Sequence, residues 1–231
     1  QRAPMCTRLY SAAASEEYKR QCGNMILRAY HDAEWGVPIK DARILWEMLV
    51  LESFQAGLSW NTVLQKRENF RRAFAGFDPE KVAQFTEQDV QRLMQDAGII
   101  RARLKIEATV KNAHAYLQMQ AKGEDFASFA WDVAQQNSVK TKQPHALAQT
   151  RASQVLSKEL KKRGFCFVGP VIVFAWMQAA GLVNRHEPEC FRYYAFDCFD
   201  KPREMAVLRR VAESKIMTAA EHGKTWNSTS C

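Results

Sequence analysis

The stretch KKRGFCFVG, residues 161–169, separates two runs that read as helices, and the way it turns decides the architecture. Ser153 to Arg163 has the mixed basic and apolar pattern of a surface helix, and Gly164 stops it. Pro170 fits the first turn of the next helix, which runs to Ala180 and closes at Gly181. Gly164 and Gly169 between two helices predict a tight hairpin, with Phe165, Phe167 and Val168 pinning it to the core. The first N–H groups of the following helix lack partners within it, and at the positive end of the helix dipole they suit a phosphate. Lys161, Lys162 and Arg163 add charge beside them. The plainer reading is an ordinary helix–helix turn with a solvated basic end.

Outward from that turn the chain reads as helix almost throughout. Asp41 precedes Ile44, Leu45, Met48, Leu49 and Leu51, the spacing of one buried helix face. That helix stops at Gln55-Ala56-Gly57, and Ser59 caps another from Trp60 to Phe74. Asp78-Pro79-Glu80 is a cap, a first-turn proline and an acid suited to the dipole. Thr86 with Asp89 starts a further helix that ends around Gly98. Ile99 to Met119 predicts a long helix closed by Gly123, and the polar residues 135–152 a linker. Neither an alternating strand pattern nor an internal repeat is legible. The polar residues after Phe199 predict a peripheral helix and a frayed tail.

At 231 residues the chain can bury a large core. Its 33 basic against 25 acidic residues give a net charge of +8, which favours a polyanionic partner. No run approaches the roughly 18 apolar residues of a membrane span, so no membrane role is expected. No secretory leader is legible, and the expected compartment is the cytoplasm, near the nucleoid. Walker and Rossmann glycine patterns are missing, which disfavours nucleotide hydrolysis and dinucleotide binding.

Three groups of residues carry chemistry. His186 and Cys190, in VNRHEPEC, place imidazole and thiolate on one face of a helical turn. His31 follows Cys22 by nine residues. Two cysteines and two histidines can close a tetrahedral zinc shell that staples the two ends of the chain together. Cys6 competes with Cys22 for the fourth place, and a disulfide is the rival use of the thiols. Cys166 and Cys198 read as small buried hydrophobes.

Glu52 is the second feature, because a carboxylate on a buried helix is unfavourable without partners or a function. Trp60 starts the next helix, and Tyr30 and Trp35 flank His31. A pocket walled by aromatic rings with one acid suits a flat, electron-poor heterocycle. The plainer reading makes Trp35 and Trp60 core aromatics and pairs Glu52 with an arginine.

Taken together, AYHDAEWGVP, LESFQAGLSW, LQKRENFR, FDPEKVA, QDAGIIRARLKIEA, NAHAYLQM, LSKELKKRGFCFVGPVI and MQAAGLVNRHEPEC resemble the 3-methyladenine DNA glycosylase I family. The resemblance runs in consistent order from Tyr30 to Cys190. It implies an all-α, helix-hairpin-helix DNA glycosylase fold with a structural zinc site linking the N- and C-terminal segments. It implies hydrolysis of the N-glycosidic bond of 3-methyladenine in alkylated double-stranded DNA, with no lyase step. Glu52 would contact the flipped base, sandwiched by Tyr30 and Trp60, with Trp35 beside them. His31, His186 and Cys190 would hold zinc with an N-terminal cysteine, Cys22 or Cys6. The turn containing Lys162, Arg163, Gly164, Phe165 and Gly169 would anchor DNA. Gln55, Gly57 and Leu58, with Leu58 at the tip, would plug the gap left by the extruded nucleotide.

The working domain is expected over residues 22–199, with 1–21 and 200–231 as extensions, in a monomer. Asn24 and Leu27 stand where the family carries a tryptophan and a tyrosine, and Phe54 where a glutamine is common. Arg185 replaces a usual aspartate. Asn184 stands where many relatives in the superfamily have an aspartate that stabilises a sugar cation, which restricts the expected lesions to cationic, weakly bonded ones. The alternative is a protein of the same fold that binds damaged DNA without cutting it.

Overall fold

A computed structural model describes residues 25–137, 147–187, 190, 192 and 193. The chain divides into two compact units, Gln1–Arg185 and His186–Cys231. Cys6, Cys22, Asn24, Cys198 and everything after Phe199 lie outside the described residues. The first unit holds helices α1 (Met25–Ala33), α2 (Ala42–Gln55), α3 (Trp60–Ala73), α4 (Pro79–Ala83) and α5 (Glu87–Gln95). It continues with α6 (Arg103–Ala121), α7 (Phe126–Asn137), α8 (Arg151–Lys162) and α9 (Pro170–Ala179). No strand occurs among the described residues.

The fold is built around α2. Every side chain from Leu45 to Phe54 is buried, which corrects the expectation of a single apolar face. Ile44, placed on that face by its spacing, is instead 41% exposed. A helix apolar all round belongs in the middle of a layered bundle rather than on its surface. On one side α9 packs against it, and the Trp176 Nε1 donates to the Leu45 carbonyl over 3.0 Å. On the other, Phe54 meets Phe70 at 4.7 Å between ring centroids, and Phe74 and Phe77 continue the stack. Phe54 is therefore a core residue, and its ring points away from the loop that follows α2.

Local signals fix several helix starts where the sequence places them. The Asp41 carboxylate accepts from Ile44 N at 2.8 Å, Ser59 Oγ from Thr62 N at 3.2 Å, and Asp78 from Glu80 N at 3.1 Å. Each satisfies a donor that the helix itself leaves unmet.

Other boundaries differ. The sixth helix starts at Arg103 instead of Ile99. The Lys66 ammonium holds the carbonyls of Ala97 and Gly98 at 2.7 and 3.3 Å, and Asn69 shares Gly98, so the chain there bonds across to α3 instead of along itself. α8 starts at Arg151 instead of Ser153, with Thr150 as its cap. α1 and α7 were not foreseen, and α7 runs to Asn137, inside the expected linker. No helix among the described residues is long and apolar enough to cross a membrane.

Candidate functional site

Tyr30 is the buried residue of α1. Its ring lies 5.4 Å from that of Trp60, the first residue of α3, tilted by 49°. Rings this close leave no space for a third between them, so they form one wall and not the two sides of a sandwich as expected. The wall is fastened by a bidentate ion pair, with Arg67 of α3 donating to Glu34 at 2.5 and 2.9 Å. Trp35 turns elsewhere and stacks on His31 at 5.9 Å.

Glu52 sits near this wall, 5% exposed. No ion pair or hydrogen bond to its carboxyl occurs among the described residues, so the pairing with an arginine that the plainer reading required is not found. Loss of water pushes that carboxyl up to about 8. Burial also drives the Tyr30 phenol well above its ordinary value, and the charges of Glu52 and Glu34 push it further. The Tyr30 hydroxyl and the Trp60 indole nitrogen are buried with no hydrogen-bond partner among the described residues. One buried acid and two unmet polar atoms on an aromatic wall can read the edge of a flat heterocycle.

The loop after α2 is stitched to itself. Gln55 Nε2 donates to the Leu58 carbonyl at 2.9 Å, and Leu58 N to the Gln55 carbonyl at 2.7 Å. Gly57 takes φ +84, a conformation that a side chain would strain. Leu58 is left 41% exposed. Lys105 of α6 clamps the loop from below, its ammonium 2.9 Å from the Phe54 carbonyl and 2.7 Å from that of Ala56.

The hairpin joins α8 to α9. Phe165 and Val168 are buried as expected, but Phe167 is 38% exposed and has a left-handed φ of 53. It does not pin the turn. Three buried polar side chains hold it instead. Asn112 Nδ2 donates to the Cys166 carbonyl at 3.0 Å while its Oδ1 accepts from Cys166 N at 2.7 Å. Ser53 Oγ donates to the Phe167 carbonyl at 3.1 Å, and Ser157 Oγ to that of Val168 at 2.6 Å. Cys166 is only half-buried, not the buried hydrophobe expected. Arg163 is drawn to Glu124 at 2.6 Å and Glu159 at 2.9 Å, and its guanidinium lies 4.1 Å over the Phe129 ring. Lys162 also pairs with Glu159, at 2.6 Å, so the charge beside the turn is more nearly balanced than the sequence implies.

Residues 21–193 match the family model described as methyladenine glycosylase. The chain belongs to that family. It is 55% identical over 169 residues to DNA-3-methyladenine glycosylase 1 of Escherichia coli, covering 71% of this chain and 90% of that protein. It is 48% identical over 164 residues to DNA-3-methyladenine glycosylase of Haemophilus influenzae, covering 70% and 89%. Among solved structures, a crystal structure of 3-methyladenine DNA glycosylase I superposes with a TM-score of 0.69 at 50% identity, covering 73% of this chain and 94% of that one. The Staphylococcus aureus enzyme, whose structure is described as the basis of 3-methyladenine recognition, gives 0.67 at 42% identity, covering 73% and 91%.

For a member of the methyladenine glycosylase family, the structure brings Tyr30, Trp60 and Glu52 toward one place and puts Leu58 at an exposed tip. In the first unit, His31 Nδ1 lies 2.9 Å from Asp32 Oδ1. In the second unit, a ring nitrogen of the buried His186 and the Cys190 Sγ lie within 4.8 Å of one another, and Cys190 N donates to the Glu187 carbonyl at 2.8 Å. The sequence reading missed Ser53, Asn112, Ser157, Lys105 and the Glu34–Arg67 pair. A polar residue within a helix that is otherwise apolar was the available signal for Ser53. Nothing local marks the others.

Proposed function

We propose that this chain is a monofunctional DNA glycosylase that hydrolyses the N-glycosidic bond of 3-methyladenine in alkylated double-stranded DNA. The observation that carries the reading is Glu52, a buried acid without an ion-pair partner among the described residues, beside the Tyr30–Trp60 wall. In DNA a 3-methylated adenine is cationic. A positive ring beside Glu52 offsets the desolvation that keeps its proton on, so the carboxylate form is favoured when the lesion enters. Neutral adenine offers no such compensation and is rejected.

The lesion leaves easily. As the glycosidic bond breaks, its electron pair passes to the purine, which departs neutral, and the sugar cation takes up water and releases a proton to solvent. The protein is therefore required to bind, orient and discriminate more than to deliver a strong acid. Stacking on the aromatic wall offsets the few kcal/mol of extrusion, and Leu58 fills the gap in the duplex. Lys105 supports the absence of a lyase step: it reaches the end of α2, but two backbone carbonyls hold its ammonium, so it is not a free amine for a Schiff base.

Residues 22–199 form the working domain in this reading, in a cytoplasmic monomer acting on DNA. His31, His186 and Cys190, with Cys22 or Cys6, hold a structural zinc. The donor types fit a closed tetrahedral site, and the carboxylate on His31 Nδ1 leaves Nε2 as the ligating atom. Metal analysis of Cys6→Ser and Cys22→Ser proteins, one of which should lose stoichiometric zinc, identifies the fourth ligand.

The deciding experiment measures free bases released from methylated duplex DNA and from duplex containing hypoxanthine. The reading expects catalytic release of 3-methyladenine and little hypoxanthine. Tight binding of damaged duplex without turnover would replace it with the non-catalytic binding protein.

A further inference from the structure

The three carbonyls held at the hairpin are consecutive, and each is held from a different helix: Cys166 by Asn112 of α6, Phe167 by Ser53 of α2, Val168 by Ser157 of α8. All three side chains are buried, at 2%, 5% and 2% exposure. A trans peptide unit is planar, with its N–H pointing opposite to its C=O. Fixing the carbonyls of residues 166, 167 and 168 therefore fixes the N–H groups of Phe167, Val168 and Gly169, and points them away from the three side chains. Those three N–H groups are also the ones in the turn that have no acceptor among the described residues, whereas Gly164 N, Phe165 N and Cys166 N all have one. Consecutive N–H groups left without an acceptor, ahead of the first turn of α9, are donors that can receive an anion.

We infer that Asn112, Ser53 and Ser157 are positioning residues that aim the N–H groups of Phe167, Val168 and Gly169 at one DNA phosphate. This rests on the reading of the hairpin as the DNA anchor. With Lys162 and Arg163 both engaged by carboxylates, the turn grips by backbone direction more than by side-chain charge. Ser53 has a further consequence, because it follows Glu52 directly. The helix that reads the base is hydrogen-bonded to the turn that grips the strand, so the register between phosphate and base is set within one residue.

The test compares Ser157→Ala and Ser157→Thr with the parent in three measurements: affinity for undamaged duplex across a salt series, affinity for free 3-methyladenine, and the KM and kcat of base release. For Ser157→Ala we expect duplex affinity to fall about 5- to 10-fold while the slope of log affinity against log salt holds, because a neutral N–H donor displaces no counterion. KM should rise while kcat and free-base affinity hold. Ser157→Thr, which keeps the hydroxyl, should restore the affinity. Asn112→Asp, which still accepts from Cys166 N but cannot donate to its carbonyl, should repeat the loss.

Duplex affinity within twofold of the parent, or a salt slope smaller by about 0.9 as when a cationic contact is lost, overturns the proposal. So does a parallel fall in free-base affinity, the mark of a generally loosened fold, or a parent protein that binds no duplex. If the parent binds duplex and the variants behave as expected but no 3-methyladenine is released, the proposed activity fails while the positioning role stands.

Discussion

Glu47 and Glu52 lie on the same buried helix, both nearly out of water at 8% and 5% exposure, yet their surroundings are opposite. Glu47 sits toward the start of α2 and accepts from Arg71 Nε at 2.7 Å. That arginine is 38% exposed on its side chain and also pairs with Glu68. Glu52 sits at the other end, where the aromatic wall, the clamped loop and the hairpin converge, and no counter-charge to it occurs among the described residues. The difference teaches how to tell an acid that serves the fold from one left available, as proposed for Glu52, to a ligand. Burial is common to both, and what separates them is whether the protein has already answered the charge.

The largest break in that comparison should come from removing the unanswered acid. Glu52→Gln is expected to slow 3-methyladenine release on the order of 100-fold while duplex affinity stays within about twofold. Excision at the parental rate would remove Glu52 from its role. The same substitution should strengthen the fold. Between the ordinary carboxyl value of 4.5 and about 8, folded Glu52 keeps its proton while the unfolded chain has lost its own. Stability therefore falls as pH rises across that window and levels off above it. Urea titrations at pH 8 should show Glu52→Gln on the order of 4 kcal/mol more stable than the parent, and close to it at pH 4.5.

Smaller effects sharpen the contrast. Lys105→Met removes the clamp beneath the Leu58 loop and should lower kcat/KM for excision about 5-fold, near 1 kcal/mol, with free-base affinity unchanged. Glu47→Gln should be the mildest, below about 1 kcal/mol in denaturation and silent in base release, because Arg71 is solvated and keeps Glu68. A Glu47→Gln protein that lost activity as severely as Glu52→Gln would erase the distinction between the two acids.

Much of this was legible in the sequence, and the reason is locality. Asp41, Ser59 and Asp78 announce helix starts because a cap and its partner stand two or three residues apart. Glu52 was legible because an acid among Leu49, Val50, Leu51 and Phe54 is anomalous wherever the chain goes. α7 was hidden because its buried face consists of Phe126, Ala127, Phe129, Ala130 and Ala134; three alanines carry little periodic signal, and its cap, Asp125 accepting from Ser128 N, precedes them unobtrusively. The hairpin's supports were hidden for the opposite reason. Asn112 stands 54 positions from Cys166, and Ser53 stands 114 from Phe167. An amide or a hydroxyl gives no hint of a partner that distant. Phe167 was misplaced because hydrophobicity predicts burial, while a left-handed backbone between two tied carbonyls turned its ring toward solvent.

The contact between Tyr30 and Trp60 also furnishes an optical probe. Trp46 and Trp176 are wholly enclosed and should emit steadily whatever arrives from outside, whereas the half-covered indole of Trp60 belongs to the wall itself. A methylated purine settling on that ring should quench its fluorescence, giving stopped-flow mixing a label-free signal for the moment the nucleobase is captured.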